Sequence, residues 1–165
     1  MPEILFDTCV LSNFALAGAL GILEGLYRNK AYIIDIVSIE ILRGIQSGLA
    51  QLETIPKAVQ AGWLKETGLR SGMERGLFET LSVSLGLGEA SSIAIAKRRG
   101  FRFASDDRVA RAEAVRLGVP LTGTVGILVK AVRGGVCDLR TADAYLGKMI
   151  KAGFFSPVRS VREIA

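Results

Sequence analysis

Short apolar runs alternating with stretches of helical periodicity constrain this chain more than any other feature. Ile4-Leu5-Phe6 and Tyr32-Ile33-Ile34 read as buried strands, Phe101-Arg102-Phe103-Ala104, entered through Gly100, as a third, and Pro120-Leu121-Thr122 as a weaker fourth. Helical patterns cover 10–27, 38–47, 49–61, 72–84, 88–99, 107–117, 125–133 and 141–152. Strands joined by helices of this length imply right-handed crossovers, which make the strands parallel and cover both faces of the sheet. The expected fold is therefore α/β, in three layers around a central, mostly parallel sheet. With 165 residues, half of them apolar but only 7% aromatic, the chain supplies one domain, 1–165, with a core of Leu, Ile, Val and Ala.

Composition removes much familiar chemistry. There is no histidine, which excludes Ser-His-Asp and Cys-His nucleophile systems and His-ligated zinc. Two cysteines, Cys9 and Cys137, are too few for a disulfide framework, so a reducing, cytoplasmic setting is expected. The start has no basic region before its first apolar run, and the longest uncharged stretch, Thr8 to Leu23, is too short to span a bilayer. No membrane association is expected. Trp63, Cys9 and Cys137 read as packing residues.

The net charge of +5 is unevenly placed: residues 1–82 hold seven Lys/Arg and nine Asp/Glu, residues 83–165 fourteen and seven. A basic half fits a polyanionic partner, because neutralising phosphates releases counterions; a solvated, soluble surface is the alternative.

In open α/β sheets, ligands bind beyond the carboxyl ends of the strands. Asp7 follows the first apolar run, and Asp106-Asp107 follow the third through Ser105. Glu89 lies near the start of a helix uncharged from Ala90 to Ala96, with Ser92, Ile93 and Ala96 on its own face, so that face is expected to point inward. Glu40 follows Ser38, read as a helix cap, and borders the stripe Val37, Ile41, Ile45. Each acid has a plainer reading: Glu89 as an acid favoured by the helix dipole, Glu40 paired with Arg43, Asp107 paired with Arg111. Together, four acids at strand or helix termini point to a carboxylate cluster, which stays ionised only beside a cation. A hard divalent ion, Mg²⁺ or Mn²⁺, would relieve it, orient a phosphodiester and lower the pKa of an attacking water. Nucleic acid is then the natural substrate.

These residues resemble the PIN domain family, and within it the small VapC-type toxins of toxin–antitoxin pairs. Ile4-Leu5-Phe6-Asp7-Thr8-Cys9-Val10-Leu11 looks like the family's first strand and acid. Val37 to Gly44, Gly88 to Ala96 and Ser105-Asp106-Asp107-Arg108 are similar to its later acidic motifs, in order, over nearly the whole chain. The resemblance implies a metal-dependent ribonuclease with Asp7, Glu40, Glu89 and Asp107 as its acids. Asp7, Glu89, Asp106 and Asp107 would be the metal ligands, with Ser-x-Asp spacing favouring Asp107 over Asp106 as the fourth acid. Thr8 and Ser105 would assist as hydroxyls. Arg43 and Arg108 are the expected phosphate contacts. Gly123-Thr124-Val125-Gly126 and Phe154-Phe155 resemble one subgroup of the family.

Rival readings differ in the motif itself. An aspartyl phosphotransferase of the haloacid dehalogenase type needs Asp-x-Asp, and position 9 is Cys9. A receiver-type phosphoacceptor needs its acidic pair after the first strand, whereas this doublet comes late. The stronger rival is a PIN-like module that binds RNA or protein without hydrolysis. For partners, the resemblance implies RNA, a homodimer and a small antitoxin, whose groove would be the apolar segment Val10 to Tyr27; a two-helix core hairpin around Gly18 or Gly21 is the alternative. Lys97-Arg98-Arg99 reads as a solvated helix end.

Overall fold

A computed structural model of the chain, describing residues 2–165, has five strands: β1 (Ile4–Phe6), β2 (Ala31–Ile34), β3 (Leu64–Thr67), β4 (Arg102–Ala104) and β5 (Leu121–Thr122). All pair in parallel in the order β3-β2-β1-β4-β5. The helices are α1 (Thr8–Leu16), α2 (Leu20–Tyr27), α3 (Asp35–Gln46), α4 (Thr54–Ala61), α5 (Gly72–Leu81), α6 (Leu87–Arg99), α7 (Arg108–Arg116), α8 (Thr124–Arg133) and α9 (Leu139–Lys151). Progress from β1 to β3 runs one way along the sheet; from β3 the chain returns across it to β4 and then β5. With right-handed crossovers, α1 to α4 cover one face and α5 to α7 the other. Contacts follow this division, since α1 meets α2, α3, α4, α8 and α9, while α6 meets α5, α7, β1, β2 and β4; α6 also meets α3, the helix that carries Glu40. The three-layer α/β expectation holds, with the sheet entirely parallel.

Three local expectations change. The strand β3 went unread because Leu-Lys-Glu-Thr has two exposed charges at its centre, as an edge strand tolerates. The stretch 10–27 is two helices that meet at a bend of 119°, and Val10, Leu11, Phe14, Leu20, Ile22, Leu23 and Tyr27 are all buried, as the two-helix core hairpin reading expects. Helix α3 begins at Asp35, which puts Ser38 inside it; the Ser38 hydroxyl donates to Glu66 Oε2 at 2.8 Å instead of capping. Among the described residues, no single helix is long and apolar enough to cross a membrane.

Arg99 is not a solvated helix end. At the C-terminus of α6 its guanidinium donates to both carboxylate oxygens of Glu74, at 2.9 and 3.0 Å, to Thr67 Oγ1 at 2.9 Å and to Gly68 O at 2.7 Å. One side chain thus ties α6 to the end of β3 and the start of α5. The Arg99 hydrogen bonds hold the Glu74 carboxyl at about 2, against an ordinary 4.5, despite its burial. Because the folded value is depressed, this stabilisation is present above the unfolded pKa and is lost as pH falls from about 4.5 towards about 2. Glu74→Gln is therefore expected to lower stability at pH 7 by on the order of 2 kcal/mol. Denaturant titrations of the two proteins should converge near the low end of that window.

Candidate functional site

The two central strands deliver the first two groups. Past the end of β1, the Asp7 N–H donates to Ala104 O at 2.9 Å, extending the β1–β4 pairing beyond the strand ends. The Asp7 side chain, 4% exposed, caps α1: Oδ1 accepts from Thr8 N at 2.8 Å, and Oδ2 accepts from Ser105 Oγ at 2.9 Å and from the Cys9 thiol at 3.6 Å. Ser105 also accepts from Asp107 N at 3.1 Å, so one hydroxyl bridges the two acidic segments. Asp107 caps α7, its Oδ2 accepting from Ala110 N at 2.8 Å. On α3, Glu40 accepts from the Thr8 hydroxyl. In the first turn of α6, Glu89 Oε2 accepts from Gly86 N at 3.3 Å. Asp106 accepts from Thr124 N at 2.9 Å, Thr124 Oγ1 at 2.5 Å and Asn13 Nδ2 at 3.3 Å.

All five acids line one cleft of about 520 Å³, together with Thr8, Cys9, Ser12 and Asn13 and with Phe154 and Phe155 at its rim. Burial and the neighbouring Glu40 charge push the Asp7 carboxyl above its usual range, partly offset by the bonds from Ser105, Thr8 and Cys9. Glu89 is likewise raised, by burial first and then by repulsion from Asp7, Asp107 and Glu40. The Cys9 thiol is pushed up to about 12 by burial and by Asp7, which leaves it no nucleophilic fraction at neutral pH.

The structure thus gathers Asp7, Glu40, Glu89, Asp106 and Asp107 with Thr8 and Ser105. Arg108 lines an adjoining cleft, whereas Arg43 is exposed on α3 and is not among the cleft-lining residues. Neither expected ion pair forms: Glu40 is bonded to Thr8, and Arg111 donates to the carbonyls of Ser105 and Thr122 at 2.7 and 3.0 Å. Sequence reading gave no site role to Asn13, a polar residue in a mostly apolar helix, or to Thr124, quoted only within Gly123-Thr124-Val125-Gly126. It quoted Gly88 and Gly123 within motifs but gave neither a part in shaping the cleft. A Cβ on Gly88 would lie 2.8 Å from Glu40 Oε1, and one on Gly123 would lie 2.7 Å from Asp106 Oδ1. Both admit a carboxylate where any side chain would displace it.

The donor set is carboxylate and hydroxyl oxygen, concentrated enough to raise two of its own acids, and Gly88 leaves a cradle for a third. Such a set fits a hard divalent cation. Among the described residues, no three Asp, Glu or Cys side chains are close enough to enclose a metal unaided.

Two outcomes follow from this geometry. Asp7 and Glu89 bind protons more tightly when folded, so without divalent metal their charge destabilises the fold at neutral pH and this loss is relieved as pH falls into the carboxylate range. In EDTA, Asp7→Asn should melt above the wild type at pH 7, with the gap narrowing towards pH 4. Gly88→Ala should change stability by no more than about 1 kcal/mol, because helix propensity gains what the Glu40 shift loses, while cutting any activity of the cleft at least about tenfold.

Comparison with known proteins places the chain. Residues 3–165 match the family DUF3368, described as a PIN domain. No curated protein matches the chain. Among solved structures, PAE2754 from Pyrobaculum aerophilum is similar at 18% identity and a TM-score of 0.47, over 71% of this chain and 96% of that one. PIN domains are generally nucleases and typically use divalent metals. The acid-lined cleft therefore sits in a chain that belongs to the PIN domain family, a family of nuclease-type folds.

Proposed function

We propose that the chain is an Mg²⁺- or Mn²⁺-dependent endoribonuclease, which hydrolyses RNA phosphodiester bonds at the cleft. The observation that carries this reading is the convergence of five carboxylates on one cleft at the carboxyl edge of the sheet, two of them raised by burial and mutual repulsion. Asp7, Glu40, Glu89 and Asp107 would hold the cation. When bound, it would neutralise the acids, orient a phosphodiester and lower the pKa of an attacking water. The chain's own contribution is positioning. Ser105 and the Thr8 N–H fix Asp7, the Thr8 hydroxyl fixes Glu40, and capping of α7 fixes Asp107. Arg108, exposed beside the cleft, is placed to receive a phosphate.

The finer reading includes the toxin role of a type II toxin–antitoxin pair, a homodimer and a small antitoxin partner. Growth arrest on expression, lost in Asp7→Asn, would support the toxin role, and light scattering tests the dimer.

The nuclease reading is tested with the purified chain and a panel of single-stranded and structured RNAs. Cleavage should require Mg²⁺ or Mn²⁺ and should fall at least about 100-fold in Asp7→Asn and in Glu89→Gln. No cleavage over the panel with either ion would assign the cleft to binding without hydrolysis.

A further inference from the structure

We infer that Phe155 is a stacking platform for an unpaired base of single-stranded RNA, held at the rim of the acid cleft. The inference rests on the reading of that cleft as an RNA site and adds the residue that selects the strand. Phe155 is 97% exposed, the highest value among the large apolar side chains of the described residues. On one side, Phe154 is half-buried against the core and its N–H donates to Met149 O at 3.0 Å, closing α9. On the other, Ser156 N donates to Phe154 O at 3.1 Å and the Ser156 hydroxyl bonds Val158 O. Further on, Ser160 Oγ and Val161 N donate to Asp143 at 2.9 and 2.6 Å. The backbone is pinned on both sides of a ring left in water.

Its position supplies the ligand class. Phe155 lines both the acid cleft and the adjoining cleft that contains Arg108, and Asp106 and Phe154 are shared between them. Arg111 in that second cleft is committed to backbone carbonyls, which leaves Arg108 as its exposed cation. An apolar ring and a guanidinium lining one cleft, which adjoins a carboxylate cluster, match a nucleotide whose base stacks and whose phosphate meets the arginine. A base inside a duplex has no free face to offer, so the platform selects single strands.

The test is binding of the full chain, in EDTA and at low salt, to a labelled single-stranded oligoribonucleotide carrying 2-aminopurine. EDTA removes metal-dependent cleavage, so the result is independent of whether the acids hydrolyse RNA. Wild type and Phe155→Trp should bind and quench 2-aminopurine, whereas Phe155→Ala should lose the quenching and bind about 5- to 150-fold more weakly. Binding to a duplex of the same sequence should be indifferent to position 155. Equal single-strand affinity in wild type and Phe155→Ala, or no binding by the wild type, overturns the inference. A fall in molar mass on Phe155→Ala with unchanged RNA affinity also overturns it, assigning the ring to a contact between two chains. Loss of cleavage in Asp7→Asn is read separately, with Mg²⁺, and reports only on the acids.

Discussion

Parallel pairing of β1 with β4 is the constraint from which the site follows. In a sheet whose strands all run one way, every strand ends at one edge, and the order β3-β2-β1-β4-β5 makes neighbours of two strands whose chains leave on opposite faces. A crevice opens where the winding reverses. The Asp7 N–H to Ala104 O bond carries the pairing one residue past the strands, which brings Asp7 and Ser105 within 2.9 Å although 98 residues separate them. Were β1 one residue out of register with β4, the Ser105 bridge between Asp7 and Asp107 would fail.

Crowding acids at this edge works against folding, and the surroundings offset it with short-range donors. Backbone N–H groups at helix starts and three hydroxyls, those of Thr8, Ser105 and Thr124, take up carboxylate oxygens. The rest is achieved by small side chains. Helix α6 is buried from Ala90 through Ala96, and within it the hydroxyls of Ser91 and Ser92 have no partner among the described residues. The small Ala and Ser side chains of α6, with Ile93 and Ile95, pack into the core; Gly88 comes against Glu40, and the charges of Asp7 and Glu40 act on Glu89.

How much of this was legible in the sequence depends on the range of the interaction involved. The strands β1, β2 and β4 and the helices behind them follow from local periodicity, and the acids were found because each sits at an element boundary, where local rules speak. Edge strand β3 escaped because its burial pattern depends on a neighbour rather than on its own residues. Arg99, read as a solvated helix end, and Arg111, offered as a partner of Asp107, went otherwise for a similar reason: charge and helical position do not say that Glu74 or two carbonyls lie within reach from other segments. The glycine cradles at 88 and 123 were illegible, since the clash each avoids involves a carboxylate 48 or 17 residues away in the chain.

The Asp106-Asp107 doublet shows how far geometry sharpens what spacing began. Asp106 accepts three bonds, two of them from Thr124, and so acts as the latch that seats the start of α8 against α1 through Asn13. Asp107 uses one oxygen to cap α7; among the described residues its other oxygen has no hydrogen bond, and its charge acts on Glu89. An acid with one free oxygen facing another carboxylate gains directly from the cation's charge. Under the proposed reading, Ser-x-Asp spacing and the oxygen left without a hydrogen bond both favour Asp107 as the fourth acid, while Asp106 is bound to Thr124 and Asn13 in the wall of the cleft.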